Sequence, residues 1–130
     1  MYERFRCCSY LDELTFQVLY GHLNDNEVYS LYITDYTANE SLTAVQGSWC
    51  PNGLADRVLK VEMWGKAAEI GPTMVPGEYY CMRNNRMKIS RGGYVEGTIS
   101  DAKIQQLDET DAENHPHLKT LLECVVCCRF

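Results

Sequence analysis

Two short runs place aromatic and hydrogen-bonding side chains at alternate positions. In residues 28–37 (VYSLYITDYT) a period of two sets Ser30, Tyr32, Thr34 and Tyr36 against Tyr29, Leu31 and Ile33. In residues 57–64 the same period sets Lys60, Glu62 and Trp64 against Leu59, Val61 and Met63. With the apolar sets turned into a core, the opposite sets form one surface of flat rings and polar groups. Such a surface suits unpaired bases, because each stacked base contributes ~1–3 kcal/mol and polar side chains read base edges. Downstream, Arg83, Arg86, Lys88 and Arg91 form a basic strip with no acid inside it. That strip supplies phosphate contacts beside the rings.

Catalytic arrangements are missing by comparison. The histidines, His22, His115 and His117, stand in no nucleophile–base pattern, and no G-x-S-x-G, H-E-x-x-H or Walker sequence occurs. Asp108, Glu109, Asp111 and Glu113 are dense, but they lie in a polar connector that reads as a solvated face. We therefore expect no enzyme and no cofactor. The seven cysteines are Cys7, Cys8, Cys50, Cys81, Cys124, Cys127 and Cys128. The odd number and the two adjacent pairs argue against a disulfide framework. Cys124 and Cys127 have C-x-x-C spacing without a second such pair, so free thiols are expected rather than a metal site.

At 130 residues the chain is one domain. With 45% hydrophobic and 23% charged residues, it has the composition of an ordinary globular protein. No apolar run approaches the ~18 residues that cross a bilayer, and residues 1–10 do not read as a secretory signal. Twelve basic against eighteen acidic residues give a net charge of −6. That balance disfavours a broad electrostatic grip on nucleic acid and permits a small polyanion footprint.

The elements that must position these side chains follow from the same periodicity. Residues 15–23 read as a strand, with Phe16, Val18 and Tyr20 alternating against Gln17, Leu19 and Gly21. Residues 24–27 (NDNE) make a turn into the second strand. A long connection, 38–56, leads to the third strand, and Ala67, Ala68 and Ile70 suggest a short helix. After the Val75-Pro76-Gly77 turn, residues 78–89 read as one long strand, 90–93 as a hairpin tip and 94–99 as a returning strand. Thr110-x-x-Glu113 has capping-box spacing, and Leu118, Leu121, Leu122 and Val125 follow a helical spacing from Pro116 onward. Five strands with a helix between the third and fourth is the order of an OB-fold, a five-stranded Greek-key barrel, here all-β with a C-terminal helix. The expected organisation is an N-terminal extension over 1–13, a barrel over 14–107, and a connector with terminal helix over 108–130.

Particular strings narrow this further. Residues 31–39 (LYITDYTAN), 58–68 (VLKVEMWGKAA) and 75–80 (VPGEYY) occur in order with Arg83-Asn84-Asn85-Arg86-Met87-Lys88 and Val95-Glu96-Gly97. Together they resemble the Pot1 / telomere end-binding protein α family, and its second OB-fold more than its first. The resemblance implies a fragment of a larger telomere protein that binds the G-rich single-stranded 3′ overhang in the nucleus and protects the chromosome end. Other domains of that protein and telomere-complex subunits would be its partners, with no role for a membrane. Carried onto this sequence, Tyr32, Tyr36 and Trp64 would stack bases, with Tyr20 and Tyr94 as further platforms. Thr34, Asp35, Lys60 and Glu62 would bond base edges, and Arg83, Arg86, Lys88 and Arg91 would meet phosphates. The competing expectation is a protein-docking OB-fold of a telomere or replication complex.

Overall fold

The first strand, β1 (Leu14–Leu23), sends Leu14, Phe16 and Val18 into the core. Its register with β2 (Tyr29–Thr34) then slips. Val18 faces Ile33, but Tyr20 faces Tyr32. The slip accommodates one extra residue, and such a bulge resets which face each following side chain occupies. Tyr20 and His22 therefore leave the face of Phe16 and Val18 and join Tyr32. The alternation expected from the sequence fails at this point for that reason.

The structure is a computed structural model that describes residues 14–24, 26–36, 48–51, 53–54, 56–89, 93–101 and 103–127, with 126 and 127 described in backbone only. Beyond β1 and β2 come β3 (Leu59–Met63), β4 (Tyr79–Met82), β5 (Arg86–Ile89), β6 (Val95–Ile99) and β7 (Ile104–Leu107). They form one sheet in the order β5-β6-β3-β2-β1-β4-β7, antiparallel except for the β3–β6 pair. The five-stranded closed Greek-key barrel expected above is thus corrected. Over the described residues the sheet is OB-fold-like and mixed, has seven strands, and is not closed into a barrel.

The expected long strand over 78–89 breaks because Asn84 takes a left-handed backbone, φ 63°. Asn tolerates that region better than most residues. β4 stays between β1 and β7, while β5 crosses to the far edge beside β6. In a flat sheet, five spacings of ~4.8 Å would separate β4 from β5 by about 24 Å. The four steps from Met82 to Arg86 reach at most ~14 Å. The sheet must therefore curl. β7 was missed altogether, since Ile104-Gln105-Gln106-Leu107 is short and half polar; it forms by pairing with the open edge of β4.

Inside the curl, Leu31, Ile33, Leu59, Val61 and Met63 pack against Phe16 and Val18. Helix α1 (Gly65–Ile70) adds Ala67, and a 3-10 turn (Gly71–Thr73) follows it. The ring of Tyr29 wedges between that turn and β1. A Cβ on Gly71 would lie 2.4 Å from the ring, and one on Gly21 2.5 Å from its hydroxyl. Neither position has room for a side chain.

β4 is buried on both faces. Tyr80 and Met82 face the main core, whereas Tyr79 and Cys81 face helix α2 (Pro116–Cys127) through Leu107, Leu118 and Leu121. Fully burying each of those leucines contributes ~1.5–3 kcal/mol. The capping box falls earlier than its expected spacing. Asp108 caps the 3-10 turn Glu109–Asn114, and the Asp111 carboxylate accepts from the Asp108 backbone N–H at 2.7 Å.

Candidate nucleic-acid interface

The registers order the outer face of the sheet into two rows. His22, Ser30, Glu62, Thr98 and Arg86 align across β1, β2, β3, β6 and β5. Tyr20, Tyr32 and Lys60 form the adjacent row, which Glu96 and Lys88 continue on β6 and β5. Ser30 is buried and makes the floor of the first row.

One end of this face is aromatic. Tyr20 stacks on Trp49 with centroids 5.0 Å apart and planes 8° from parallel. Trp49 also meets Tyr32 at 4.8 Å, and His22 stacks beside Tyr32 at 6.0 Å. Burial, aided by Glu96 and Tyr20, raises the Tyr32 phenol above its ordinary 10.0. The Tyr32 hydroxyl therefore keeps its proton at physiological pH. Trp49 was not foreseen because it sits in an irregular connection with no periodicity. His22 was not foreseen because the bulge decides its face.

A second ring stands farther along β3. Trp64 continues the strand with φ −116° and ψ 156°, donates its N–H to the Ile99 carbonyl at 2.9 Å, and leaves 46% of its surface exposed. Tyr32 pairs with Lys60, four residues before Trp64. The two aromatic stations are therefore about 14 Å apart, from ~3.3 Å per residue along the strand and ~4.8 Å across. Between them lie Lys60, Glu62 and Lys88, with the Lys88 ammonium bonded to the Glu62 carboxylate. Arg86 is exposed and lines the groove beside Trp64.

The remaining expected contact residues are placed differently. Thr34 is fully buried; its hydroxyl donates to the Arg57 carbonyl at 2.6 Å and accepts from the Tyr36 N–H at 2.9 Å. Asp35 is 4% exposed. Tyr36 packs toward the α2 side, and its hydroxyl donates to Gln17 Oε1 at 2.5 Å. Arg83 is exposed at the β4–β5 bend, with its backbone N–H donating to Lys103 O. Tyr94, immediately before β6, is 40% exposed. Arg91 lies outside the described residues, as do Cys7, Cys8 and Cys128. The structure thus gathers Tyr20, Tyr32, Lys60, Glu62, Trp64, Arg86 and Lys88 on one face, and leaves Thr34, Asp35 and Tyr36 off it.

Solved proteins share this fold. The chain superposes on Pot1pC of Schizosaccharomyces pombe, solved with the single strand CGGTTACGGT, with a TM-score of 0.73. The match covers 92% of this chain and 91% of that one at 20% identity. This is the Pot1pC fold. The larger fission yeast Pot1 structure with ssDNA gives the same TM-score, 0.73, at 22% identity over 90% of this chain. The domain spans only 41% of that Pot1 chain. No protein-family model matches the sequence, and no curated protein matches it. Within the Pot1pC fold, the bulge in β1 and the bend at Asn84 are what turn the rings and Arg86 onto a common face.

Proposed function

We propose that this domain binds G-rich telomeric single-stranded DNA without catalysis, as part of a nuclear protein that protects chromosome ends. The observation that carries the reading is the outer face itself: two aromatic stations about 14 Å apart along one strand direction, with cations between and beside them. The Tyr20–Trp49–Tyr32 cluster and Trp64 stack bases. Lys60 and Glu62 bond base edges, Lys88 meets a phosphate, and Arg86 meets the nucleotide that lies in the groove beside Trp64. Thr34, Asp35 and Tyr36 hold the strand end in place.

The charge balance supports the single-strand reading over duplex binding. A duplex presents stacked bases that rings cannot reach and demands a wide cationic surface. This chain carries a net charge of −6 and sets four of its twelve cations, Arg83, Arg86, Lys88 and Arg91, in one strip. The chemistry of the face, and the ssDNA held by fission yeast Pot1pC and Pot1 on the same fold, support DNA as ligand. The test is a competition series in which a labelled G-rich single strand is displaced by G-rich, C-rich, duplex or RNA competitors. The G-rich single strand should compete best. Equal competition by duplex, or no binding by any of them, contradicts the reading and favours a peptide partner.

A further inference from the structure

A groove of about 710 Å³ opens beside Trp64, lined by Asn84, Arg86, Thr98, Ile99, Ser100 and Asp101. Its size lies in the ~300–1,000 Å³ range that encloses a small organic molecule. Three groups in it have complementary roles. Trp64 offers a ring, Arg86 a guanidinium, and Asp101 a carboxylate. The Asn84 amide donates to Asp101 Oδ2 at 2.8 Å, which holds the carboxylate against the groove wall at the bend. Asn84 can do so because its left-handed backbone turns the chain there.

Resting on the single-strand reading above, we infer that this groove is a guanine-selective subsite in which Asp101 is a specificity-determining residue. Guanine alone among the bases offers adjacent N–H donors, at N1 and N2, to one carboxylate. Its other edge offers O6 and N7, the acceptor pair that Arg binds bidentately. A base stacked on Trp64 thus meets an acceptor on one side and a forked donor on the other. Adenine presents an amino group with a ring acceptor toward Asp101, and a carboxylate beside that acceptor repels it. Thymine and cytosine lack the paired donors. Neither Asp101 nor Asn84 carries a signal in strand periodicity, since the bend at Asn84 brings them together.

The experiment is an anisotropy titration of the full chain with a labelled G-rich single strand and a set of variants, each with one guanine replaced by inosine, which lacks the N2 amine. One position should lose ~5- to 150-fold in affinity, the range of a good bidentate base contact. In Asp101→Asn that penalty should vanish, both strands binding equally weakly. Asn84→Gly keeps a residue tolerant of φ 63° and removes only the amide that holds the Asp101 carboxylate, so it should shrink the penalty without abolishing it. Because Asp101→Asn touches the bend, a second variant guards against misfolding. Arg86→Ala, at an exposed sheet-edge position, should abolish the penalty for 7-deazaguanine at the same position. Wild-type binding with no inosine penalty anywhere, or an undiminished penalty in Asp101→Asn, overturns the inference while leaving single-strand binding intact. Loss of all binding by the wild type overturns both.

Discussion

Asn85 on the β4–β5 bend packs its buried side-chain amide directly over Gly97 of β6. A Cβ at Gly97 would stand 2.7 Å from Asn85 Oδ1 and 3.1 Å from Val61 Cγ2. The spacing between Arg83-Asn84-Asn85-Arg86 and Val95-Glu96-Gly97 thereby acquires a physical meaning. Asn84 bends the chain, Asn85 fills the space left by the missing side chain at Gly97, and Arg86 is delivered to the outer face.

Gly97→Ala should accordingly overpack this contact and cost ~1–3 kcal/mol. In urea the midpoint should fall while the slope stays constant. Adding Asn85→Ala should recover part of the loss, making the double variant less unstable than the two single effects summed. Strict additivity would mean that Asn85 and Gly97 do not depend on each other.

Thr34→Val separates structure from recognition. Its hydroxyl satisfies both the Arg57 carbonyl and the Tyr36 N–H inside the protein, and leaving such buried groups without partners costs ~1–3 kcal/mol. The variant should melt earlier yet bind the single strand with wild-type affinity at a temperature where it is folded. A large affinity loss in the folded variant would return Thr34 to the contact surface.

Salt dependence follows from the number of cations on the face. Among the described residues gathered on the face, Lys60, Arg86 and Lys88 can neutralise three phosphates, so log K against log[salt] should have a slope of about −2, at roughly −0.7 per phosphate on a single strand. Lys88→Ala should reduce the slope by about 0.7. Glu62→Gln should steepen the slope, because it releases Lys88 from its intramolecular partner, while loss of the base-edge acceptor lowers the affinity at high salt. The stability change in either should stay below ~1 kcal/mol, as for other surface pairs. A slope near −5 would require a basic surface that the described residues of this face do not supply.

Alkaline pH should weaken the fold itself. Burial raises the phenols of Tyr29, Tyr32 and Tyr79 above the ordinary 10.0, with Glu109 and Glu78 adding to the effect at Tyr79. The unfolded chain then loses these protons first. Stability is intact below the unfolded value and declines as pH rises from there through the higher folded values. Urea unfolding at a series of pH values from 9 to 11.5 measures the decline, and Tyr79→Phe should make it shallower. An unchanged midpoint across that range would contradict burial of these hydroxyls.

Much of this was legible in the chain. The alternation of Leu31 and Ile33, and of Leu59, Val61 and Met63, placed β2 and β3 and identified Tyr32, Lys60, Glu62 and Trp64 as outward residues. Period-two reasoning failed where the backbone left its period. The bulge after Val18 moved Tyr20 and His22 to the other face, and the positive φ of Asn84 divided one expected strand into two. At the end of β2 the outward pattern fails, so Thr34 is buried although it shares the parity of Tyr32, while Asp35 follows the inward parity of Ile33 and is buried with it. Trp49 and Asp101 lie in connections, where position is fixed by tertiary contacts and spacing carries no information.

The most direct measurement uses the two tryptophans as reporters of the two stations. Trp49→Phe leaves Trp64 as the sole tryptophan, and Trp64→Phe leaves Trp49. Each is titrated to saturation with a G-rich single strand long enough to cover both stations, and indole emission is followed. If unpaired bases stack on this face, both emissions change in step with occupancy. If the strand binds to saturation while both indoles stay as bright and as solvent-exposed as before, the nucleotides lie elsewhere and the account is wrong.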